Sequence, residues 1–433
     1  MRFVTTRGEA PAVSLKQALF DGLAPDGGLY VPEAIEPWPA DELARLASCT
    51  LGEIGVSVLE RFAGDEIDRA TLRRVVDEAL DFPIPLVGVD RDVFSLELFH
   101  GPTLAFKDVG ARVMARLMSV LGGDVTVLTA TSGDTGSAVA HAFHGVANAR
   151  VIVLYPDGRV SPTQEAQLTL FNDAAGSNVC AFAVAGSFDD CQRLVKAAFA
   201  NDALRRRIRL TSANSINVGR LLPQMIYYFH GVAQLTALDV PSESIVVCTP
   251  SGNFGNLTAG LMARRAGLRV AQFVAATNAN DVVPAYLSTG FFEPRPSIRT
   301  IANAMDVGNP SNLERLLWLY GGDVDAVRRD VVGSRSLDED VRLTIRDVYA
   351  RCGYLLDPHS AIGYAGVRGR VGQAGTAGIF LATAHPAKFP EVVEPVIDQA
   401  IEKPASLAAA LAGSRRVLRI EATLDAVIEA LGA

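Results

Sequence analysis

From about residue 85 to about residue 280, short apolar runs alternate with amphipathic or alanine-rich stretches. Residues 125–130 (Val-Thr-Val-Leu-Thr-Ala), 150–155, 244–249 and 272–277 are apolar and rich in β-branched side chains, which predicts buried strands. Between them, 137–143 and 257–266 read as helices. A further helix starts at Ser161-Pro-Thr-Gln164, where Ser supplies the cap, Pro the first position and Gln the third. Strands alternating with helices imply parallel sheet covered by helices on both faces. The pattern recurs late, with strands at 378–383 and 416–420 and a closing helix.

The first eighty or so residues form a separate unit. Pro25-Asp-Gly-Gly28 is a turn cluster, and 68–80 is a charged, amphipathic helix ended by Asp81-Phe-Pro-Ile-Pro85. A loop rich in Pro, Asn and Gly covers about 290–312, and long helices are expected after it up to 350.

Composition narrows the function. The chain has 433 residues, 49% apolar and 20% charged, with net charge −8 and no long basic run. Nucleic acid and anionic membranes are therefore excluded as partners, and a phosphate-bearing ligand must be held locally. The first ten residues have no apolar signal core, and no 18 apolar residues run together. Five scattered cysteines without CxxC spacing read as reduced residues of a cytoplasmic protein, and no zinc set is apparent. Only five of the 40 basic residues are lysine. One of them, Lys107, follows Leu104, Ala105 and Phe106. It reads either as a lysine snorkelling from a helix start beside Asp108, or as a desolvated amine suited to a Schiff base.

Ligands of open α/β sheets bind at the carboxyl ends of strands, and three loops occupy that position. Thr131-Ser132-Gly133-Asp134-Thr135-Gly136 offers hydroxyls and amides to a carboxylate, or is a capped turn. Pro250-Ser-Gly252-Asn253-Phe254-Gly255 suits a phosphate monoester, and is neither a Walker A loop nor a GxGxxG fingerprint. In Thr383-Ala-His-Pro-Ala-Lys-Phe389 the Thr hydroxyl could meet a ring nitrogen, while His385 and Lys388 read as capping or solvated residues. Asn214-Ser215-Ile-Asn217 with Arg220 could clamp a second phosphate or carboxylate, or form an Asn-rich turn.

A lysine among apolar groups, a phosphate cup and a carboxylate loop are the parts of a pyridoxal phosphate enzyme. In family order, Thr5-Thr-Arg-Gly8, residues 20–32, His100-Gly-Pro-Thr-Leu-Ala-Phe-Lys-Asp108, Ser132–Gly136, Phe188-Asp-Asp190, Asn214–Asn217, Gly252–Gly255 and Thr383–Phe389 resemble the threonine synthase family in its longer bacterial and fungal form. The resemblance implies the tryptophan synthase β-like fold: two α/β subdomains within 83–390, an N-terminal unit at 1–82, and a C-terminal segment at 391–433 packed on the catalytic region. It implies a lyase that converts O-phospho-L-homoserine and water to L-threonine and phosphate, closing threonine biosynthesis. Lys107 would be the Schiff-base lysine, Gly252–Gly255 would hold the cofactor phosphate, and Thr383 the ring nitrogen. Asp134 would lie near the cofactor oxygen. Thr103, Thr131, Ser132, Gly133 and Thr135 would meet the substrate, and Asn214, Ser215, Asn217 and Arg220 its phosphate. The oligomeric state is not legible, and a monomer is compatible. The rival readings are a pyridoxal phosphate dehydratase or β-replacement enzyme, an idle binding protein on this fold, and a hydrolase pairing Ser132 with Lys107.

Overall fold

The computed structural model describes residues 1–131, 133–238, 245–372, 375–413 and 416–432. The predicted apolar runs at 125–130, 150–155 and 272–277 become the strands Val125–Ala130, Ala149–Pro156 and Gln272–Thr277. Val125–Ala130 is buried along its whole length, as a parallel strand covered on both faces must be. Strand Ile245–Pro250 matches the fourth run, except for Ser244, which falls outside the described residues.

Two sheets carry the fold. One has five parallel strands, in the spatial order Leu418–Ile420, Val179–Val184, Ala149–Pro156, Val125–Ala130 and Leu210–Thr211. The other has six, in the order Val331–Arg335, Gln272–Thr277, Ile245–Pro250, Ala377–Ala382, Val93–Glu97 and Leu86–Asp90; only the last pair is antiparallel. This is the two-sheet architecture implied by the resemblance. Local signals set the helix starts. Ser161 accepts from the Gln164 amide in a capping box, and Asp68 caps Arg69–Ala79.

The N-terminal residues add an antiparallel pair, Phe3–Thr5 with Tyr30–Pro32, and several helices. Their apolar side chains are not walled off: Phe3, Ile54 and Leu72 belong to one core with Ile226 and Leu381. Strands Leu86–Asp90, Val93–Glu97, Val179–Val184 and Leu210–Thr211 lie where the sequence reading named none, and two further details depart from it. Residues 313–350 hold only one long helix, Asp338–Cys352; Leu313–Leu319 and Val324–Asp330 are short because Gly321 and Gly322 break the chain in left-handed conformations. The edge strand Val331–Arg335 was not foreseen, since Gly333 and Ser334 give it no apolar alternation.

Candidate active site

A cleft of about 1520 Å³ opens where the carboxyl ends of both sheets meet. Lys107 stands on its wall as the first residue of helix Lys107–Leu121. The helix start is pinned from the six-stranded sheet: the Phe106 amide donates to the Thr383 carbonyl at 2.9 Å. Asp108 closes the preceding loop by accepting from the Thr103 amide (2.9 Å) and hydroxyl (2.6 Å). A side chain at Gly101 would overlap that carboxylate, so the loop needs glycine there. Burial nonetheless pushes the Asp108 carboxyl above its ordinary range.

Lys107 retains some exposure toward the cleft, yet protein surrounds its amine and it forms no hydrogen bond or ion pair with a described residue. Burial pushes its ammonium down to about 8; Asp134 opposes the shift, and Lys388 and Arg220 add to it. Asp134 opens helix Asp134–Phe143 behind the cleft wall. Burial disfavours its charge, but Lys388 and then Lys107 outweigh that and hold the carboxyl well below its usual range. Lys388 is fully buried, 2.7 Å from Asp134 and 3.0 Å from the Thr103 carbonyl, which it donates to. The expectation of a solvated Lys388 is therefore overturned: its partner comes from the other sheet. His385 does cap its turn, accepting from the Ala387 amide.

The loop after Ile245–Pro250 turns into helix Gly255–Arg265 through Phe254, which is left-handed at φ 60°. That conformation is costly for a bulky residue. Gly252 is required by packing: a Cβ there would lie 2.8 Å from Met305 Cα and 2.9 Å from the Ala304 carbonyl. At Gly255 a Cβ would meet nothing closer than 3.4 Å. Asn253 is a strut, donating to Ser215 Oγ and accepting from the Ser311 amide, each at 2.5 Å.

Eleven sequence-predicted residues line this one cleft: Lys107, Gly252, Asn253, Phe254, Gly255, Thr383, Thr131, Thr135, Asn214, Ser215 and Arg220. Asp134, Thr103, Gly133 and Asn217 do not, and Ser132 lies outside the described residues. Thr131 Oγ1 takes the Gly133 and Gly136 amides, so fewer amides are free for a carboxylate than the sequence suggested. Asn217 offers no donor to a ligand; its amide goes to the Leu19 and Ser212 carbonyls, and its oxygen accepts from Gly219. Arg220 differs. It is buried without an ion pair to a described residue, bonds the Ala213 carbonyl, and leaves Nε without a partner among them. Burial, partly countered by Asp108, pushes its guanidinium down to about 10.

Two residues at or beside the cleft, Arg315 and His359, were not found from sequence. Arg315 is fully buried and ties the carbonyls of Tyr30, Ser215 and Ile216 together. His359 lines the cleft, held by Asp357 at 2.7 Å and accepting from the Ala304 amide. Asp-Pro-His-Ser at 357–360 does carry a local signal, an Asp cap with Pro at the first helical position.

The residues present fit pyridoxal phosphate: a desolvated lysine, a helix N-terminus entered through a tight turn, and a strand-end hydroxyl at Thr383 without a partner among the described residues. Fold and site thus define the class of pyridoxal phosphate enzymes built from two parallel-sheet subdomains. A family model for pyridoxal-phosphate dependent enzymes matches residues 82–381. Models for the threonine synthase N terminus and C-terminal region match 2–80 and 360–431. The chain is 43% identical over 414 residues to threonine synthase of Serratia marcescens, covering 94% of each. It superposes on the crystal structure of Escherichia coli threonine synthase with TM-score 0.92 at 40% identity, covering 100% of this chain and 99% of that one. The PLP-bound threonine synthase of Brucella melitensis gives 0.93 at 38%, covering 100% and 98%. The chain belongs to the threonine synthase family.

Proposed function

We propose that the protein catalyses the threonine synthase reaction, converting O-phospho-L-homoserine and water to L-threonine and phosphate. The observation that carries this reading is a single cleft holding both a desolvated lysine amine and a buried guanidinium with no acidic partner among the described residues. The first suits a cofactor lysine, and the second a phosphate dianion.

When bound, pyridoxal phosphate supplies an electron sink for a carbanion beside the substrate nitrogen. The amides from Gly252 to Gly255 would hold its phosphate, and the neutral Thr383 hydroxyl its ring nitrogen. Lys107 is the Schiff-base lysine. Its uncharged amine would lift the Cα proton. Arg220, Asn214 and Ser215 bind the substrate phosphate and orient it for departure from Cγ once a Cβ proton is gone. Thr135 and the helix start behind it face the substrate carboxylate. Lys107 returns protons to Cγ and Cα, and water added at Cβ completes threonine. Thr103 and Asp134 support this set from behind the wall.

Every residue given a role lies on one chain, so the reading needs no second copy. Among the described residues no helix is long and apolar enough to cross a membrane. Cytoplasmic residence fits the five free cysteines. The test quantifies phosphate and amino-acid product together from O-phospho-L-homoserine. Equal threonine and phosphate, both abolished in Lys107→Ala, support the reading. A yellow, cofactor-loaded protein that releases no phosphate refutes it and favours a dehydratase or β-replacement enzyme.

A further inference from the structure

Lys388 has no part in the reaction just described, yet its ammonium is fully buried beside that chemistry. A buried cation costs several kcal/mol unless a partner offsets the desolvation. Its partner is Asp134, at 2.7 Å. A second bond runs to the Thr103 carbonyl, which also accepts from Gln167. Thr103 in turn is locked onto Asp108, the residue after Lys107. Lys388 is thereby fixed relative to the reacting lysine through its immediate neighbour.

The charges facing Lys107 come from four elements. Asp134 projects from helix Asp134–Phe143, Lys388 from the turn Pro386–Lys388, and Arg220 from the short helix Val218–Leu221. Asp108, on the same helix as Lys107, is spent on Thr103. Asp134 also feels His359, which is held by Asp357. Asp134 is therefore the carboxylate whose charge reaches both lysines, and the ion pair is made with Lys388.

We propose that Lys388 is a positioning residue for the reaction: its ammonium takes Asp134 as counter-ion and leaves Lys107 in the cleft without a carboxylate partner. A lysine beside another cation, and denied an anion, gives up its proton more readily, as a Cα base must. Removing the Lys388 charge would hand Asp134 to Lys107 and hold the proton there. The inference rests on Lys107 being the cofactor lysine.

The test uses the holoenzyme. Lys388→Gln keeps hydrogen-bonding capacity and loses the charge; Lys388→Arg keeps the charge. The pH midpoint of the visible absorbance of the bound cofactor reports the proton on the Lys107 nitrogen, and the acid limb of kcat reports the free base. Lys388→Gln is expected to raise both by about one pH unit, about a tenfold loss of free base on the acid side. Lys388→Arg should stay near wild type. Loss of melting temperature and activity with an unmoved midpoint would mark Lys388 as purely structural and overturn the inference. Should Lys388→Gln fail to fold, Asp134→Asn decides: the midpoint must fall, because the Lys388 charge then acts on Lys107 without the carboxylate that offsets it, and an unmoved one overturns the proposal. A wild type without any lysine-bound cofactor signal would instead sink the functional reading itself.

Discussion

Arg220→Met separates the stability of this protein from its activity. Arg220 is only 4% exposed, donates to one carbonyl and leaves Nε unpaired among the described residues. Burial pushes it well below its ordinary value, down to about 10. A displacement of that size corresponds to about 3 kcal/mol against the charged form. In the substrate-free protein this is a cost, because no acid among the described residues pairs with it. A bound phosphate dianion would offset the cost and gain charge-assisted hydrogen bonds, each about 1.5–3 kcal/mol. Methionine fills similar space without the charge. The melting temperature of Arg220→Met should hold or rise by about a few degrees. KM for O-phospho-L-homoserine should rise by about tenfold to a hundredfold. Thermal denaturation and initial phosphate-release rates against substrate concentration check both halves. A lower melting temperature with an unchanged KM would show that Arg220 is a strut for Ala213 and not a phosphate anchor.

Two other perturbations follow from the geometry. Gly252→Ala places a methyl 2.8 Å from Met305 Cα, against backbone that has no rotamer to yield. Overpacking of this kind costs about 1–3 kcal/mol, and the phosphate loop must shift, so affinity for pyridoxal phosphate measured by titration should fall about tenfold or more. An unchanged affinity would mean the loop does not hold the cofactor phosphate. Asp306, in the loop over the cleft, is pushed up to about 6 by burial, despite bonds from Thr300 and Asn278. Its carboxyl binds a proton more readily folded than unfolded. The stability this contributes is therefore fully present below about pH 4 and is lost as pH rises through about 6. Denaturant unfolding should show the difference between wild type and Asp306→Asn falling across that window and flat above it; a pH-independent difference would contradict the assignment.

Much of the fold was legible because its causes are short-ranged. Short apolar runs with β-branched side chains mark the strands at 125–130 and 272–277 within a handful of residues, and Ser161 and Asp68 cap helices three residues away. The cleft loops were legible as well, since carboxyl ends of parallel strands collect ligands. The edge strand Val331–Arg335 was not, because a half-polar strand is specified by its neighbour and not by its own pattern.

Within the site, local chemistry singled out Lys107, the Gly252–Gly255 turn and Arg220, while pairing lay beyond it. Lys388 and Asp134 sit after strands of different sheets, Ala377–Ala382 and Val125–Ala130. Nothing near either residue distinguishes a solvated lysine from a buried one. Asn217 lies in a segment that promised ligand donors, yet its bonds go to a carbonyl of the N-terminal unit at Leu19. The sequence alone determined which elements form and which residue types the cleft receives, because periodicity, caps and turns act over a few positions. Only the tertiary structure decided which charges are paired, which polar groups are spent on backbone and which stay free for a ligand. Desolvation and ion pairing depend on what the packing of the two sheets brings within a few ångströms.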